Sequence, residues 1–211
     1  MKKTVTAILA LLIVVVFSAQ AQETTKEINY IPEKGDVRVG LAWGWAMRMN
    51  FETRPNFGHT KPIMPLQVHA DYTLMTFSEG KGSVAAGALF EFVHYQSWFT
   101  QESLILGTPI KTTTTWTQGL LAATGTVRYC IWKDIALFGS AFFGSDMILG
   151  YEEEYSDESY ASIVPHTNAG GSNSSFGFLA GIDVPVSEHA ILSLQAGFTY
   201  MTLGFRYSYV F

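Results

Sequence analysis

The chain has 211 residues, a formal net charge of −5 at pH 7 and one cysteine, Cys130. A single thiol excludes an internal disulfide framework, no His or Cys cluster has zinc-ligand spacing, and the acidic balance argues against a nucleic-acid partner. Charged residues make up 15% of the chain, against ~25% in ordinary soluble domains. Beyond the N-terminus, apolar residues are interleaved with small and polar ones, and no apolar run is long enough for a membrane helix.

The N-terminal segment, residues 1–21, predicts a cleaved secretory signal peptide. Two lysines precede an almost unbroken apolar run, Ala7–Phe17, and small residues stand before the expected cleavage point after Ala21. The run is shorter than the ~20 residues of a membrane-spanning helix. We therefore expect the mature domain to cover residues 22–211.

From Val37 onward, apolar residues alternate with small or polar ones, which is the two-residue period of a β-strand. In Val37–Met49 every odd position is apolar, and the even positions hold only Gly, Ala and Arg. A helix would mix these two sets, because its period is 3.6 residues. Seven later segments repeat the alternation and begin at Pro65, Ser83, Thr112, Ile135, Ser174, Ala190 and Gly204. The faces of the segment from Ile135 to Gly150 stay undecided.

The predicted connections alternate in length. Short turns are expected around Glu79, Lys133, Glu188 and Met201, and long connections around Pro55, Gly107 and Ser156. Short turns on one side and long loops on the other are typical of outer-membrane barrels, whereas a two-sheet sandwich has no reason for this pattern. We predict an all-β fold, an eight-stranded antiparallel transmembrane β-barrel with periplasmic termini. Ten strands are the alternative, if residues 151–171 contain another hairpin.

Aromatic residues near the strand ends support a membrane setting. Trp98 and Trp116 are predicted at one rim, where rings lie at the level of the lipid headgroups. Phe198 and Tyr200 are assigned to the apolar face of the seventh segment, because they continue its alternation.

The last strand carries aromatic residues at alternating positions: Phe205, Tyr207, Tyr209 and Phe211. It resembles the C-terminal signal of bacterial outer-membrane β-barrel proteins, and the architecture resembles the small eight-stranded barrels of the OmpA/OmpX kind. The resemblance implies that the barrel-assembly machinery reads this strand, which then pairs with the first strand. It also implies a place in the outer membrane of a Gram-negative bacterium, in contact with lipid and lipopolysaccharide.

Polar residues on the second face of the strands predict a network inside the barrel. Its predicted members are Arg38, Arg48, Gln67, His69, Asp71, Glu91, Arg128, Asp183 and Arg206. An eight-stranded barrel is only just wide enough for its own side chains, and buried charges must pair. The favoured interpretation is a structural network that fills the lumen. A narrow polar path is the alternative.

A catalytic role has little support in the sequence. Some eight-stranded barrels modify lipid A with a His-x-Ser pair, and none of the five histidines here is followed by that pattern. His69 and Asp71 share a strand face, but no partnered nucleophile accompanies them. We predict no catalytic residue, no metal and no cofactor.

The long loops are candidate contact surfaces. Tyr151–Tyr160 contains five acidic residues without the ordered spacing of a calcium loop, so a solvated loop is favoured. The segment from Thr100 to Trp116 predicts an ordinary hairpin or a protruding one whose edge could pair with another chain. Arg54, His59 and Lys61 could meet lipopolysaccharide phosphates.

The sequence therefore predicts a non-enzymatic outer-membrane protein with an envelope-structural or surface-interaction role. One alternative is a narrow channel for small or apolar solutes. The other is a lipid A-modifying enzyme.

Overall fold

The computed structural model describes residues 32–46, 59–102, 107–132, 135–162 and 171–211. Of residues 59–64, 101, 102, 160 and 161, only the backbone is described. The predicted signal peptide, Arg48 and Arg54 lie outside these ranges. The side chains of His59 and Lys61, predicted to face lipopolysaccharide, are not described either.

Eight strands follow one another along the chain and form a single closed ring. They are β1 (Val37–Trp45), β2 (His59–Phe77), β3 (Gly82–Glu102), β4 (Pro109–Trp132), β5 (Ile135–Tyr155), β6 (Ser172–Pro185), β7 (Ala190–Gly197) and β8 (Leu203–Val210). Each strand is antiparallel to both neighbours, and β8 closes the ring by pairing with β1. The predicted eight-stranded antiparallel barrel is confirmed, and the ring has eight strands instead of ten.

A short helical turn, α1 (Glu158–Ala161), follows β5. Within the described ranges, no helix has the length and apolar character needed to cross a membrane.

The barrel is sheared. A path of directly paired residues that starts at Gly40 and runs through β2–β5 reaches β6 at Ser175. The path that runs the other way round the ring, through β8 and β7, reaches the same strand at Pro185. This displacement, from Ser175 to Pro185, is a shear number of 10. With ~3.3 Å per residue and ~4.8 Å between strands, the strands tilt by about 40° and the ring radius is about 8 Å. Such a ring has room inside only for its own side chains.

The two faces of the strands have opposite character over the part of the ring that all eight strands share. We call the end with Val37 and Phe211 the lower end, and the end with Gly107 the upper end. Every strand turns large apolar side chains outward, where they are exposed; one from each strand is Val39, Val68, Phe90, Leu121, Leu137, Phe178, Leu194 and Phe205. The inward positions of β1 are all buried, among them Arg38 and Ala42.

The structure decides the faces of β5. Ala136, Phe138, Ser140 and Phe142 are buried inside, and the positions between them face outward. The sequence alone does not decide which residues of β5 face inward, because both faces of this strand mix aromatic rings with Gly, Ala or Ser. Higher up, the pairing with β4 skips Leu149, a bulge that brings Tyr151 opposite the inward Trp116.

The wall of the barrel has unequal height. β2–β5 contain 19 to 24 residues, whereas β7 and β8 contain 8 and β1 contains 9. Because they are at least twice as long as β1, β7 and β8, the strands β2–β5, here called the tall wall, continue beyond the common ring. The upper ends of β3 and β4 therefore form a protruding pair of strands. The prediction of a loop from Tyr151 was wrong in its first half, since Tyr151–Tyr155 belong to β5.

Candidate functional site

The lower lumen holds a cluster of buried charges contributed by five strands, which we call the charge network. Its members are Arg38, Asp71, Arg128, Asp183 and Arg206. None is more than 5% exposed. Period-two alternation aims all five into the ring, because each stands on the inward face of its strand.

Asp183 is the centre of the charge network. Arg38 Nη1 and Nη2 donate to its Oδ2 and Oδ1 at 2.6 and 3.2 Å, and Arg206 Nη2 donates to Oδ1 at 3.3 Å. Arg128 Nε lies 3.5 Å from Oδ2. Arg128 also donates from Nη2 to Asp71 Oδ2 at 2.5 Å. One carboxylate thus holds three guanidinium groups in place, as buried charges require.

Neutral groups complete the shell of the charge network. Ser193 Oγ accepts hydrogen bonds from Arg38 Nη2 at 3.1 Å and from Arg206 Nε at 3.4 Å. The guanidinium of Arg206 lies 4.4 Å from the centre of the Phe138 ring, a cation–π contact. Ser193 was not among the predicted residues, although its place on the inward face of β7 follows from the alternation.

A second polar group lies in the middle of the lumen. Gln67 Nε2 donates to Glu91 Oε2 at 3.0 Å, and Gln195 Nε2 donates to Gln67 Oε1 at 2.8 Å. The backbone amide of Met201 donates to the other oxygen of Glu91. The chain of contacts joins β2, β3 and β7 to the turn that precedes β8.

That turn, residues 198–202, folds into the lumen. Thr199, Tyr200 and Met201 are all buried, and the Tyr200 hydroxyl donates to Asp146 of β5. The prediction that Tyr200 continues the outward face of β7 was wrong, because the strand ends at Gly197 and the chain then reverses. No local sequence pattern indicates the contact with Asp146, which lies 54 positions away.

Apolar side chains close the lumen above the charge network. This upper cluster consists of Leu89, Val93, Tyr95, Leu120, Ala122, Phe142, Leu179 and Tyr200, with Ala46 and Trp116 packed against it. The Tyr95 and Trp116 rings have centres 5.3 Å apart. The predicted rim position of Trp116 was wrong: even-numbered residues of β4 face inward, and its ring joins the upper cluster. Trp98, on an outward position of β3, is half-buried.

The predicted site residues therefore occupy one interior. Of the nine predicted network residues, eight are described, and all eight are buried inside the ring. Five form the charge network, Gln67 and Glu91 form the middle group, and His69 is buried with no hydrogen-bond partner on either ring nitrogen among the described residues. Arg48 lies outside the described residues. No group of three or more His, Cys, Asp or Glu in the described part of the chain could hold a metal ion.

The C-terminal strand lies where the ring closes. Phe205, Tyr207, Tyr209 and Phe211 occupy outward positions; Phe205 and Phe211 are exposed and the two tyrosines are half-buried. The Phe211 amide donates to the Val37 carbonyl at 2.8 Å. Beside Phe211, a cleft of about 220 Å³ opens at the lower end, between the segment before β1 and the β6–β7 turn.

Polar and aromatic side chains meet at the top of the tall wall. Tyr155 Oη donates to Glu153 Oε2 at 2.8 Å, and Tyr151 donates to the other oxygen. The pKa of Tyr151 is raised to about 12, chiefly by partial burial and secondly by its hydrogen bond to Glu153. Glu152 and Glu154 alternate with this trio and are exposed on the outer face.

The geometry defines a closed, plugged β-barrel with a charged interior and an apolar outer belt. No protein-family model and no curated protein matches the chain. Among solved structures, Ail, the attachment invasion locus protein of Yersinia pestis, is similar over 84% of this chain and 99% of its own, with 11% identity and a TM-score of 0.38. The outer membrane protein OprG from Pseudomonas aeruginosa is similar over 87% and 91%, with 12% identity and a TM-score of 0.39. Both similarities are distant.

Proposed function

We propose that this chain is an integral outer-membrane β-barrel with a plugged lumen and a non-enzymatic role at the cell surface. The observation that carries the proposal is the outer belt of exposed apolar side chains around a closed ring with a charged interior. Water-soluble monomers rarely expose continuous apolar patches larger than a few hundred Å². A closed ring also satisfies the backbone hydrogen bonds of every strand, which a span through lipid demands.

The outer face of the tall wall supports a boundary between lipid and water. On β4, Leu121, Val127 and Tyr129 are exposed and apolar, whereas Lys111 and Thr115 stand on the same face higher up. β5 changes in the same way, from Phe143 below to Glu152 above. The upper part of the tall wall would then stand in water outside the cell, while the lower end would face the periplasm.

Export and assembly complete the proposal. Residues 1–21 would act as a cleaved signal peptide, and the assembly machinery would read Phe205, Tyr207, Tyr209 and Phe211. Outer-membrane lipid and lipopolysaccharide would surround the belt. The buried polar residues serve a structural purpose, because the lumen that they fill is closed above by the upper cluster. The surface partner would contact the tall wall.

The test is a comparison of boiled and unboiled outer-membrane fractions on a detergent gel. A closed barrel resists mild detergent, so the unboiled protein is expected in the outer-membrane fraction at a different apparent mass. Protein in the soluble periplasm, or a single mass before and after boiling, would contradict the proposal. A steady open level in planar bilayers would instead favour a channel.

A further inference from the structure

The lower lumen contains buried donors that the described residues leave unused. Neither ring nitrogen of His69, nor the hydroxyl of Ser208, nor Nη1 of Arg128 has a hydrogen-bond partner among them. His69 is 4% exposed, Arg128 1% and Ser208 0%. Buried polar groups in proteins are nearly always paired with protein, water or an ion, so these three side chains indicate a bound group.

Two of these side chains, His69 and Ser208, are neighbours. Gly40 of β1 stands directly opposite both His69 of β2 and Ser208 of β8. The place where a Gly40 Cβ would stand is 2.2 Å from His69 Cε1 and 2.5 Å from Ser208 Oγ, so the ring and the hydroxyl are adjacent. Arg128 reaches this region because its Nη2 binds Asp71, which is two residues from His69 on the same face of β2.

Among the described residues, the charge network itself has more positive than negative charge, with three arginines and two carboxylates. The three arginines of the charge network share two carboxylates, Asp71 and Asp183. The third buried carboxylate, Glu91, belongs to the middle group with Gln67. The fields of all three guanidinium groups reach the His69 ring. An excess positive charge beside unused N–H and O–H donors, out of contact with water, favours a small anion.

We propose that the lower lumen binds one small monovalent anion, of the size of chloride, between Arg128, His69 and Ser208. The anion balances the third guanidinium and accepts the unused hydrogen bonds. It is a fixed part of the folded protein and not a transported solute, since the upper cluster closes the lumen. The proposal requires only the closed ring, so it is independent of the surface role proposed above.

The first test refolds the protein from urea into detergent micelles, in sodium gluconate with increasing sodium chloride or bromide at constant ionic strength. A ligand that binds only the folded state raises the unfolding midpoint with its concentration. We therefore expect chloride and bromide to raise the midpoint, while gluconate, which is too large for the site, leaves it unchanged. Equal midpoints in all three salts would overturn the proposal.

Two matched serine variants locate the effect. Ser208→Ala removes one donor of the site, and we expect it to weaken the halide dependence about tenfold, as the loss of one charge-assisted hydrogen bond would. Ser140→Ala is the control, because Ser140 is also buried in the lumen but its Oγ accepts from Thr126 at 2.9 Å. Equal halide dependence in both variants would contradict the assigned place.

A crystal grown in sodium bromide gives the direct readout. We expect an anomalous scattering peak within hydrogen-bond distance of Ser208 Oγ and Arg128 Nη1. Ordered water at this position without bromide would show that solvent alone satisfies the donors, and would overturn the proposal.

Discussion

The lower and upper parts of the barrel have different outer surfaces, and β4 runs through both. Low on β4, Leu121 and Val127 face outward while Arg128 is buried. High on the same strand, Lys111 faces outward while Ile110 is buried in the interior. The outer surface thus changes from apolar to polar along one strand, whereas the interior combines polar and apolar side chains in both parts, since Thr112 and Thr114 are buried beside Ile110.

On the proposed placement in the outer membrane, one strand pattern serves two solvents. The alternation itself does not change along β4; only the choice of apolar or polar residues for the outer face changes. In lipid, the outer face gains nothing from polarity, and charges are tolerated only where they can pair inside. The upper cluster stabilises the interior by apolar burial at the height of the outer belt, since Leu120 and Ala122 flank the outward Leu121.

The largest expected effect comes from removing the centre of the charge network. Asp183→Asn leaves three buried guanidinium groups with one remaining carboxylate, and breaking a buried ion pair costs about 3–5 kcal/mol. The unfolding midpoint in urea, followed by the shift of the unboiled gel band, measures this loss. Glu152→Gln, on the exposed outer face of the upper part, is the control and should change stability by less than ~0.5 kcal/mol. Equal effects of both variants would contradict a carboxylate-centred interior.

The boundary between the two parts can be located with arginine substitutions on one face of β4. Leu121→Arg places a charge in the outer belt and should cost about 2–4 kcal/mol in a bilayer, depending on its depth. Thr115→Arg, six residues higher on the same face, should cost about 0–1 kcal/mol, because it stands near or beyond the interface. Unfolding in phospholipid vesicles measures both values. A similar cost for the two substitutions would contradict a lipid boundary between them.

In the lower part, the inward or outward direction of most side chains can be predicted from the sequence, because the alternation along a strand is a local pattern. The inward position of Asp71, Glu91, Arg128 and Asp183 needs only a period of two and a choice of face. The partners of these residues do not follow, since they depend on the shear of the closed ring. Arg38 meets Asp183 across 145 positions, a distance along the chain on which no local pattern gives information.

The upper part is harder to predict for two physical reasons. The bulge at Leu149 changes the register of β5 by one residue, which exchanges its faces. The turn that carries Tyr200 leaves the strand pattern altogether and enters the lumen. Both features depend on packing between distant segments, so an alternation extended past Gly197 assigned Tyr200 to the wrong side.

Tyr200→Phe tests how much the inserted turn contributes. The variant removes the hydroxyl that donates to Asp146 but keeps the ring in the upper cluster. A hydrogen bond to a charged group contributes about 1.5–3 kcal/mol, and partial exposure of Asp146 favours the lower end of this range. Urea unfolding measures the loss. Tyr129→Phe, on the exposed outer belt, should have little effect; a comparable loss there would contradict the role of the turn.

The smallest effect is expected at Tyr151, where the tall wall is partly open to water. Its pKa is raised from about 10 in an unfolded chain to about 12 by burial and the hydrogen bond to Glu153. A raised pKa means that the folded state retains the phenol proton, so this contribution is complete below pH 10 and is lost as the pH rises through 12. Subtracting the ultraviolet tyrosinate titration of Tyr151→Phe from that of the unsubstituted protein isolates this group.

The difference titration should have its midpoint near 12 in the folded barrel and near 10 in urea, where no tertiary contact remains. A midpoint near 10 in both states would mean that Tyr151 does not donate to Glu153. The inward turn of Tyr151 beyond the Leu149 bulge would then be wrong, and so would the assignment of Glu152 and Glu154 to the outer face. The titration thus tests the register of β5 directly above the bulge at Leu149.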